Sequence, residues 1–120
     1  MDAHAFGEQS LPEWRRAVLK VGSSLLAEDH GGLSDRFAAG LAQFVSRSRE
    51  QGREVVIVSS GAVAAGRGVL QTDAAGLNQR QALAALGQAP MIALWQSLSE
   101  VPVAQVLLSH DDVRNRRRYL

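Results

Sequence analysis

The chain has 120 residues, enough for one small domain with a hydrophobic core, and its 46% apolar content is ordinary for an α/β fold. Its 13 basic and 12 acidic residues leave a net charge of +1, which does not indicate nucleic acid or a membrane surface as a partner. The chain has no cysteine, no long apolar stretch and no secretory signal in its first residues, so we expect a cytoplasmic protein without disulfides or thiolate metal sites.

The first half of the chain predicts a strand, a helix and a second strand. The strands cover residues 17–21 and Glu54–Ser59, and the consecutive apolar residues of the second are typical of burial on both faces of a parallel sheet. The helix between them begins with Ser34 as N-cap and ends at Gly52, because glycine tolerates the left-handed conformation found after a helix end. Its predicted buried face consists of Phe37, Leu41, Phe44, Val45 and Ser48.

The second half of the chain predicts two more helices. A helix rich in alanine and glycine starts at Gly61 and is expected to pack closely on the sheet, although Gly66 and Gly68 weaken it. After a loop over residues 72–78, a longer helix runs from residue 79 to about residue 99. Its predicted buried face consists of Leu83, Leu86, Pro90, Leu94 and Leu98.

Further signals complete the order of elements. Gly87 and Pro90 are expected to break or kink the longer helix, because proline removes a backbone donor and clashes with the preceding turn. A third strand is predicted at residues 103–108, and Ser109 with Asp112 resembles a capping box that starts another helix. The resulting order is βαβαβ, a parallel sheet with helices on it. Because the chain stops within the last helix, we interpret it as part of a longer domain.

A lysine and a glycine-serine turn come at the end of the first predicted strand. Ligands of open α/β sheets gather beyond the carboxyl ends of the strands, and Lys20 lies close to that end. Its charge would face negative charge on a transferring phosphoryl group. The N–H groups of Gly22, Ser23 and Ser24 can surround phosphate oxygens, and Gly22 lets a ligand approach the backbone. The alternative is a lysine that reaches solvent from a strand end, followed by an ordinary turn.

The second predicted strand ends in two hydroxyl groups, Ser59 and Ser60, and a helix of small residues follows at once. The free N–H groups of that helix start, together with the Ser60 hydroxyl, predict an anion site for a carboxylate or a phosphate. In the alternative interpretation, one of the two serines only caps the helix. Both turns leave strands that we expect to be neighbours, so they are predicted to share one edge of the sheet.

The two turns together resemble the amino acid kinase family. The resemblance is carried by residues 20–24, which read Lys-Val-Gly-Ser-Ser, and by residues 58–67, which read Val-Ser-Ser-Gly-Ala-Val-Ala-Ala-Gly-Arg. Residues 81–88, the Leu-Trp pair at 94–95 and residues 103–108 also resemble the members of this family that phosphorylate the side-chain carboxylate of free glutamate. The similarity covers nearly the whole chain.

The resemblance implies a three-layer αβα sandwich with a mostly parallel sheet, of which this chain would be a βαβαβ half. Residues 1–120 would be the N-terminal, amino-acid-binding part. The nucleotide-binding half and any RNA-binding-like C-terminal domain would lie outside the chain.

The resemblance also implies a reaction. ATP with Mg²⁺ would be the phosphoryl donor, with no protein ligand for the metal in this part. Glutamate would be the acceptor, in the first step of proline biosynthesis. The complete protein would be a homo-oligomer without a membrane partner, no nucleic-acid partner is expected for this part of it, and this chain alone would be inactive.

The resemblance also assigns roles to individual residues. Lys20 matches the catalytic lysine that contacts the ATP phosphates and stabilises the transition state. The turn that binds the ATP phosphates matches Gly22, Ser23 and Ser24. The serine and helix start that bind glutamate match Ser60, Gly61 and Ala62.

Two other functions remain open from the sequence. One is a related kinase that acts on acetylglutamate or aspartate, and the other is a non-catalytic, truncated fragment that binds a ligand or partner weakly.

We interpret the arginines near the C-terminus as solvated helix charges, since the net charge is close to zero. They are Arg114 and Arg116 to Arg118. The three histidines are scattered and show no metal-ligand spacing, and His110 is interpreted as part of a helix start.

Overall fold

The computed structural model describes residue 10 and residues 12–72 and 76–115. A short 3₁₀ turn at Ser23–Leu25 follows the first strand. None of the helices within these residues is both long and apolar enough to cross a membrane. The strands and α-helices, in chain order, are β1 (Arg16–Val21), α1 (Ala38–Glu50), β2 (Glu54–Ser59), α2 (Ala62–Leu70), α3 (Leu77–Ser97) and α4 (His110–Arg114).

Strands β1 and β2 form a parallel pair, as the α/β prediction requires. Their register aligns residue 16 with residue 54 and residue 21 with residue 59. One face of the pair contacts the core, whereas the other presents Val18, Val56 and Val58 with 68%, 54% and 51% of their surface exposed. The prediction that β2 is buried on both faces is therefore wrong for the described residues, because the core forms on one side of the sheet.

The hydrophobic core gathers near the carboxyl ends of the two strands. Val21, the last residue of β1, packs there with Leu26 from the following loop and Ala38 from the start of α1. Met91 and Trp95 contribute from α3 and are 6% and 5% exposed. The turns that follow the strands thus lie directly beside the best-packed part of the molecule.

Helices α2 and α3 pack against each other at two glycines. A β-carbon on Gly66 would overlap the carbonyl oxygen of Leu83, and one on Gly87 would overlap that of Ala62. Only residues without a side chain allow the two backbones to approach this closely. The prediction that α2 packs closely on the sheet is wrong, since its main contact is with α3. Gly66 weakens the helix in isolation but permits this tertiary contact.

The third predicted strand, at residues 103–108, is not a strand in the structure. The N–H of Val103 donates to Oε1 of Gln96 over 2.8 Å, and Gln105 donates from its side chain to Gln88. These bonds attach the start of the segment to α3. Val106, Leu107 and Leu108 are 80%, 71% and 73% exposed. Among the described residues no strand pairs with this segment, and a sequence with the composition of a strand does not form a strand without such a partner.

Helix α1 differs from its prediction at its start and agrees at its end. Phe37 is the N-cap, and the Ser34 hydroxyl accepts a hydrogen bond from the N–H of Arg36 over 3.2 Å, so Ser34 forms a local turn before the helix rather than its cap. Gly52 has a φ of 72° just after the helix, as predicted. On the predicted buried face Ser48 is buried, whereas Phe37 and Phe44 are 47% and 39% exposed.

Helix α3 begins earlier than predicted and is uninterrupted. It begins at Leu77, so the predicted loop is shorter at that end, and residues 73–75 of that loop lie outside the described part. The helix continues through Gly87 and Pro90, so a break is wrong, and the predicted kink stays a prediction. Of the predicted buried face, Leu83 is buried, Leu94 and Leu98 are partly buried against the core, and Leu86 is exposed. The fully buried residues repeat every four positions and are Leu83, Gly87, Met91 and Trp95.

Helix α4 begins as predicted. The Ser109 hydroxyl accepts a hydrogen bond from the Asp112 N–H over 3.2 Å, and the Asp112 carboxylate accepts one from the Ser109 N–H over 2.8 Å. These two bonds form the capping box, and His110 is an exposed residue of the helix start. Arg114 is exposed in the last turn, while the predicted cluster at residues 116–118 lies outside the described residues.

Candidate functional site

The carboxyl ends of β1 and β2 bring the two predicted turns together. Lys20 is aligned with Val58 and Val21 with Ser59, and the Ser60 N–H donates to the Val21 carbonyl oxygen over 2.9 Å. The Lys20 turn (residues 20–24) and the Ser60 turn (residues 59–62) therefore leave the same edge of the sheet side by side. The prediction that they are neighbours is confirmed.

The Lys20 turn is open to solvent. Lys20 is exposed on the same face of the sheet as Val18 and Val58, and Ser23 and Ser24 are also exposed. Within the described residues, the backbone N–H groups of residues 22–24 donate to no acceptor. Gly22 has an extended conformation with a φ of −72°, and a β-carbon there would meet only Ser24 Oγ at 4.0 Å. The space above this turn is thus free for a ligand.

The Ser60 turn places free donors at the head of α2. The first intrahelical bond joins the Ala65 N–H to the Gly61 carbonyl oxygen over 2.9 Å. The N–H groups of Gly61, Ala62 and the next two residues have no acceptor in the described part of the chain. Such a helix start attracts anions, because its N–H groups and the helix dipole present positive charge.

Gly61 gives this turn its shape. Its φ is 115°, a conformation that other residues rarely adopt, and it is buried over Leu26 and Leu33. Gly61 is also the N-cap of α2, with no side-chain cap. Neither Ser59 nor Ser60 accepts a hydrogen bond from the helix, so the alternative that one of them only caps α2 is wrong. The Ser60 hydroxyl is exposed and bonds to no other described residue.

One contact of the Ser60 turn was not predicted. The Trp95 indole Nε1–H donates to Ser59 Oγ over 3.1 Å, and Ser59 Oγ in turn donates to the Ser60 carbonyl oxygen over 3.1 Å. The sequence contained a signal, because a tryptophan on the buried side of a helix needs a partner for its N–H. The pattern alone did not say which residue that partner is.

The site as a whole presents positive charge and hydrogen-bond donors. Lys20 supplies a full charge on one side, and the head of α2 supplies partial charges and a hydroxyl on the other. Nowhere in the described residues do three or more His, Asp or Glu side chains come together in a way that could hold a metal ion. Donors suited to anionic groups therefore lie at one edge of the sheet.

Comparison with known proteins identifies the family. The model of the amino acid kinase family matches residues 15–120. The chain is 67% identical over 118 residues to the glutamate 5-kinase of Xylella fastidiosa strain M12, covering 96% of this chain and 31% of the relative. It is 72% identical over 106 residues to the glutamate 5-kinase of Xanthomonas campestris pv. campestris strain 8004, covering 86% of this chain and 29% of the relative.

The chain thus spans less than a third of the length of these curated relatives. The matched region contains the Lys20 turn, the Ser60 turn and Trp95, so every residue of the candidate site falls inside it. With its parallel strand pair and its helices in the expected order, the chain belongs to the amino acid kinase family.

Proposed function

We propose that the protein, at the length of its relatives, transfers the γ-phosphoryl group of ATP to the side-chain carboxylate of L-glutamate. The product is L-glutamyl 5-phosphate, and the reaction is the first step of proline biosynthesis. The observation that carries the proposal is the meeting of the Lys20 and Ser60 turns at one sheet edge, in a chain so similar to glutamate 5-kinases. Phosphoryl transfer between two anions needs donors on both sides of the reacting phosphorus atom.

On the donor side, the Lys20 turn is assigned to the ATP phosphates. During transfer the bond between the γ-phosphorus and the β,γ-bridging oxygen breaks, ADP leaves, and a carboxylate oxygen of glutamate bonds to phosphorus. Negative charge is spread over the transferring group in the transition state. Lys20 would oppose that charge as a compact cation, and the N–H groups of Gly22, Ser23 and Ser24 would hold phosphate oxygens.

On the acceptor side, the Ser60 turn is assigned to glutamate. The Ser60 hydroxyl and the N–H groups of Gly61 and Ala62 are donors without an acceptor in the described residues. A carboxylate satisfies several such donors at once, and the dipole of α2 favours its charge. These donors therefore fit an amino-acid substrate that carries a carboxylate.

The metal and the remaining assignments follow from the same proposal. We assign Mg²⁺ to the phosphates of ATP, a common mode of Mg²⁺ binding. Residues 1–120 form the amino-acid-binding part of the kinase domain, and the nucleotide base is bound by residues outside this chain. The complete enzyme is assigned to the cytoplasm and to a homo-oligomer.

The test is an acceptor assay on a chain of the relatives' full length. ATP turnover is measured with glutamate, aspartate, acetylglutamate and carbamate. We expect turnover with glutamate well above the other three. Preference for acetylglutamate or aspartate would instead show a different kinase of the same family, and no turnover with any acceptor would support a non-catalytic protein.

The 120-residue chain serves as the control in the same assay. We expect no glutamate-dependent turnover, because this chain would supply the acceptor side and the Lys20 turn but not the nucleotide-binding half. We also expect association in light scattering, since Val18, Val56 and Val58 form an exposed apolar face beside an open strand edge. Full turnover from a monomer of this chain would contradict the assignment of the nucleotide site to residues outside it.

A further inference from the structure

Trp95 connects helix α3 to the Ser60 turn. It is 5% exposed, packs in the core with Val21 and Met91, and lies 36 positions from Ser59 in the chain. Its indole N–H nevertheless reaches Ser59 Oγ at 3.1 Å. A buried indole N–H needs an acceptor, and the one it has is a hydroxyl inside the candidate site.

The direction of this hydrogen-bond chain is determined by its first donor. The indole N–H can only donate, so the Ser59 hydroxyl accepts from it and directs its own single proton elsewhere. That proton goes to the Ser60 carbonyl oxygen, 3.1 Å away. Trp95 therefore acts on the backbone of Ser60 through one intervening hydroxyl.

The Ser60 carbonyl and the Gly61 N–H belong to the same peptide plane and point in opposite directions. When the carbonyl is held toward Ser59, the Gly61 N–H is held away from it. That N–H has no acceptor within the described residues. Glycine can adopt many backbone conformations, so a turn around Gly61 needs an outside contact to keep its φ of 115°.

We infer that Trp95 is a positioning residue for the amino-acid substrate. Through Ser59 it holds the Ser60–Gly61 peptide so that the Gly61 N–H is presented to a carboxylate of glutamate. Trp95 itself touches no substrate. The inference rests on the proposed function, because it explains how the turn assigned to glutamate is kept ready for binding.

The experiment compares Trp95→Phe and Ser59→Ala in a chain of the relatives' full length. The first variant keeps an aromatic ring in the core but loses the N–H, and the second removes the intervening hydroxyl. Each is expected to raise the KM for glutamate about three- to tenfold and to leave the KM for ATP and kcat within about twofold, since one hydrogen bond to the acceptor turn is lost. The double variant should raise the KM for glutamate no further than the larger of the two single changes does, because both changes break the same chain of hydrogen bonds.

Two control variants separate positioning from packing. Met91→Leu alters a core residue on the same face of α3 that is 6% exposed and has no N–H donor in its side chain. It should lower the melting temperature without changing the KM for glutamate. Ser59→Thr keeps the hydroxyl and should have a KM close to that of the wild type. If Trp95→Phe does not fold, Ser59→Ala alone carries the test.

The outcomes distinguish this inference from the proposed function. A wild-type protein that uses glutamate, with an unchanged glutamate KM in Trp95→Phe and Ser59→Ala, overturns only the positioning role. An equal rise in the KM values for glutamate and ATP, or the same rise in Met91→Leu, shows general loosening and also overturns it. A wild-type protein without glutamate-dependent turnover overturns the proposed function and the inference with it.

Discussion

The Lys20 turn and the Ser60 turn leave neighbouring strands, but different kinds of contact hold them in place. After Lys20 the chain makes local bonds, such as that from the Leu25 N–H to the Gly22 carbonyl oxygen at 3.2 Å. The Ser60 turn is bonded to β1 through Val21 and to α3 through Trp95. Both turns share the bond between Ser60 and Val21, but only the Ser60 turn is also bonded to a distant helix, through Trp95.

This difference has a consequence for ligand binding. A turn whose position is fixed by contacts with other elements loses little conformational entropy when it binds a ligand. Under the proposed function, the contacts of the Ser60 turn prepare the acceptor side before glutamate arrives. Changes in the Lys20 turn should therefore act on the rate and on the KM for ATP. Changes around the Ser60 turn should act on the KM for glutamate, and on stability only where they break a contact with another element.

The largest effect is expected from Lys20→Ala. Loss of a charge that opposes the transition state should lower kcat by roughly 100-fold or more, measured in a full-length chain under saturating substrates. Lys20→Arg should not restore the rate, since a planar guanidinium replaces a compact ammonium. Arg16→Ala, at the other end of the same strand, is the matched control and should leave kcat unchanged. A nearly normal kcat in Lys20→Ala would mean that the lysine only extends its charge into solvent.

Ser60→Ala tests the acceptor side. The loss of a hydrogen bond to a charged group, about 1.5–3 kcal/mol, should raise the KM for glutamate roughly ten- to a hundredfold, with a smaller effect on that for ATP. The melting temperature should not change, because the Ser60 hydroxyl has no partner among the described residues.

Ser24→Ala is the matched variant on the other turn, with an exposed serine assigned to the phosphates. It should raise the KM for ATP more than that for glutamate. If both serine variants raised the KM values for ATP and glutamate equally, the two turns would not differ in the substrate that they bind. A Ser60→Ala protein with a lower melting temperature and a normal glutamate KM would point to a purely structural serine.

Gly87→Ala tests whether the head of α2 depends on its contact with α3. The added β-carbon would overlap the carbonyl oxygen of Ala62, the first residue of α2, so the helices must separate at a cost of about 1–3 kcal/mol. Thermal unfolding should show this loss, and the KM for glutamate should rise more than that for ATP. Gly40→Ala is the control, because among the described residues no atom beyond its chain neighbours and its own helix backbone lies within 4 Å of its β-carbon position, and alanine favours a helix. Equal stability of both variants would contradict the close packing.

The smallest effect is expected from Glu54→Gln. It removes the ion pair between Arg16 and Glu54, which is 2.6 Å long with side chains 73% and 64% exposed. Such pairs contribute less than about 1 kcal/mol, and this one lies at the ends of the strands opposite to both turns. The free energy of unfolding measured in denaturant should change little, and kcat and the KM values should not change. A kinetic effect would mean that the two ends of the sheet are coupled.

Much of the local structure could be predicted from the sequence. Both strands, the end of α1 near Gly52 and the capping box of Ser109 and Asp112 follow from residues that lie close together in the chain. The side-by-side position of the two turns also follows, because a strand, a helix and a strand of this length favour adjacent parallel strands. These features depend on local backbone preferences, which a single sequence contains.

The buried side of α3 could not be read from its pattern. The helix is rich in alanine and apolar on several sides, so its sequence does not distinguish Leu86, which is 38% exposed, from Met91, which is 6% exposed. Pro90 lies within the continuous helix Leu77–Ser97. Gly66 and Gly87 were interpreted as weak points and instead form the contact between the helices.

The remaining features depend on partners that lie far away in the sequence. Residues 103–108 have the composition of a strand, but a strand forms only where another backbone offers hydrogen bonds, and the Val103 N–H bonds to a side chain of α3 instead. The link from Trp95 to Ser59 likewise joins two residues that no local pattern connects. The sequence by itself determined the type of most elements and the residues of the two turns. The tertiary structure decided which surfaces are buried and how the Ser60 turn is held, because burial and hydrogen-bond pairing are properties of residues in contact rather than of residues in order.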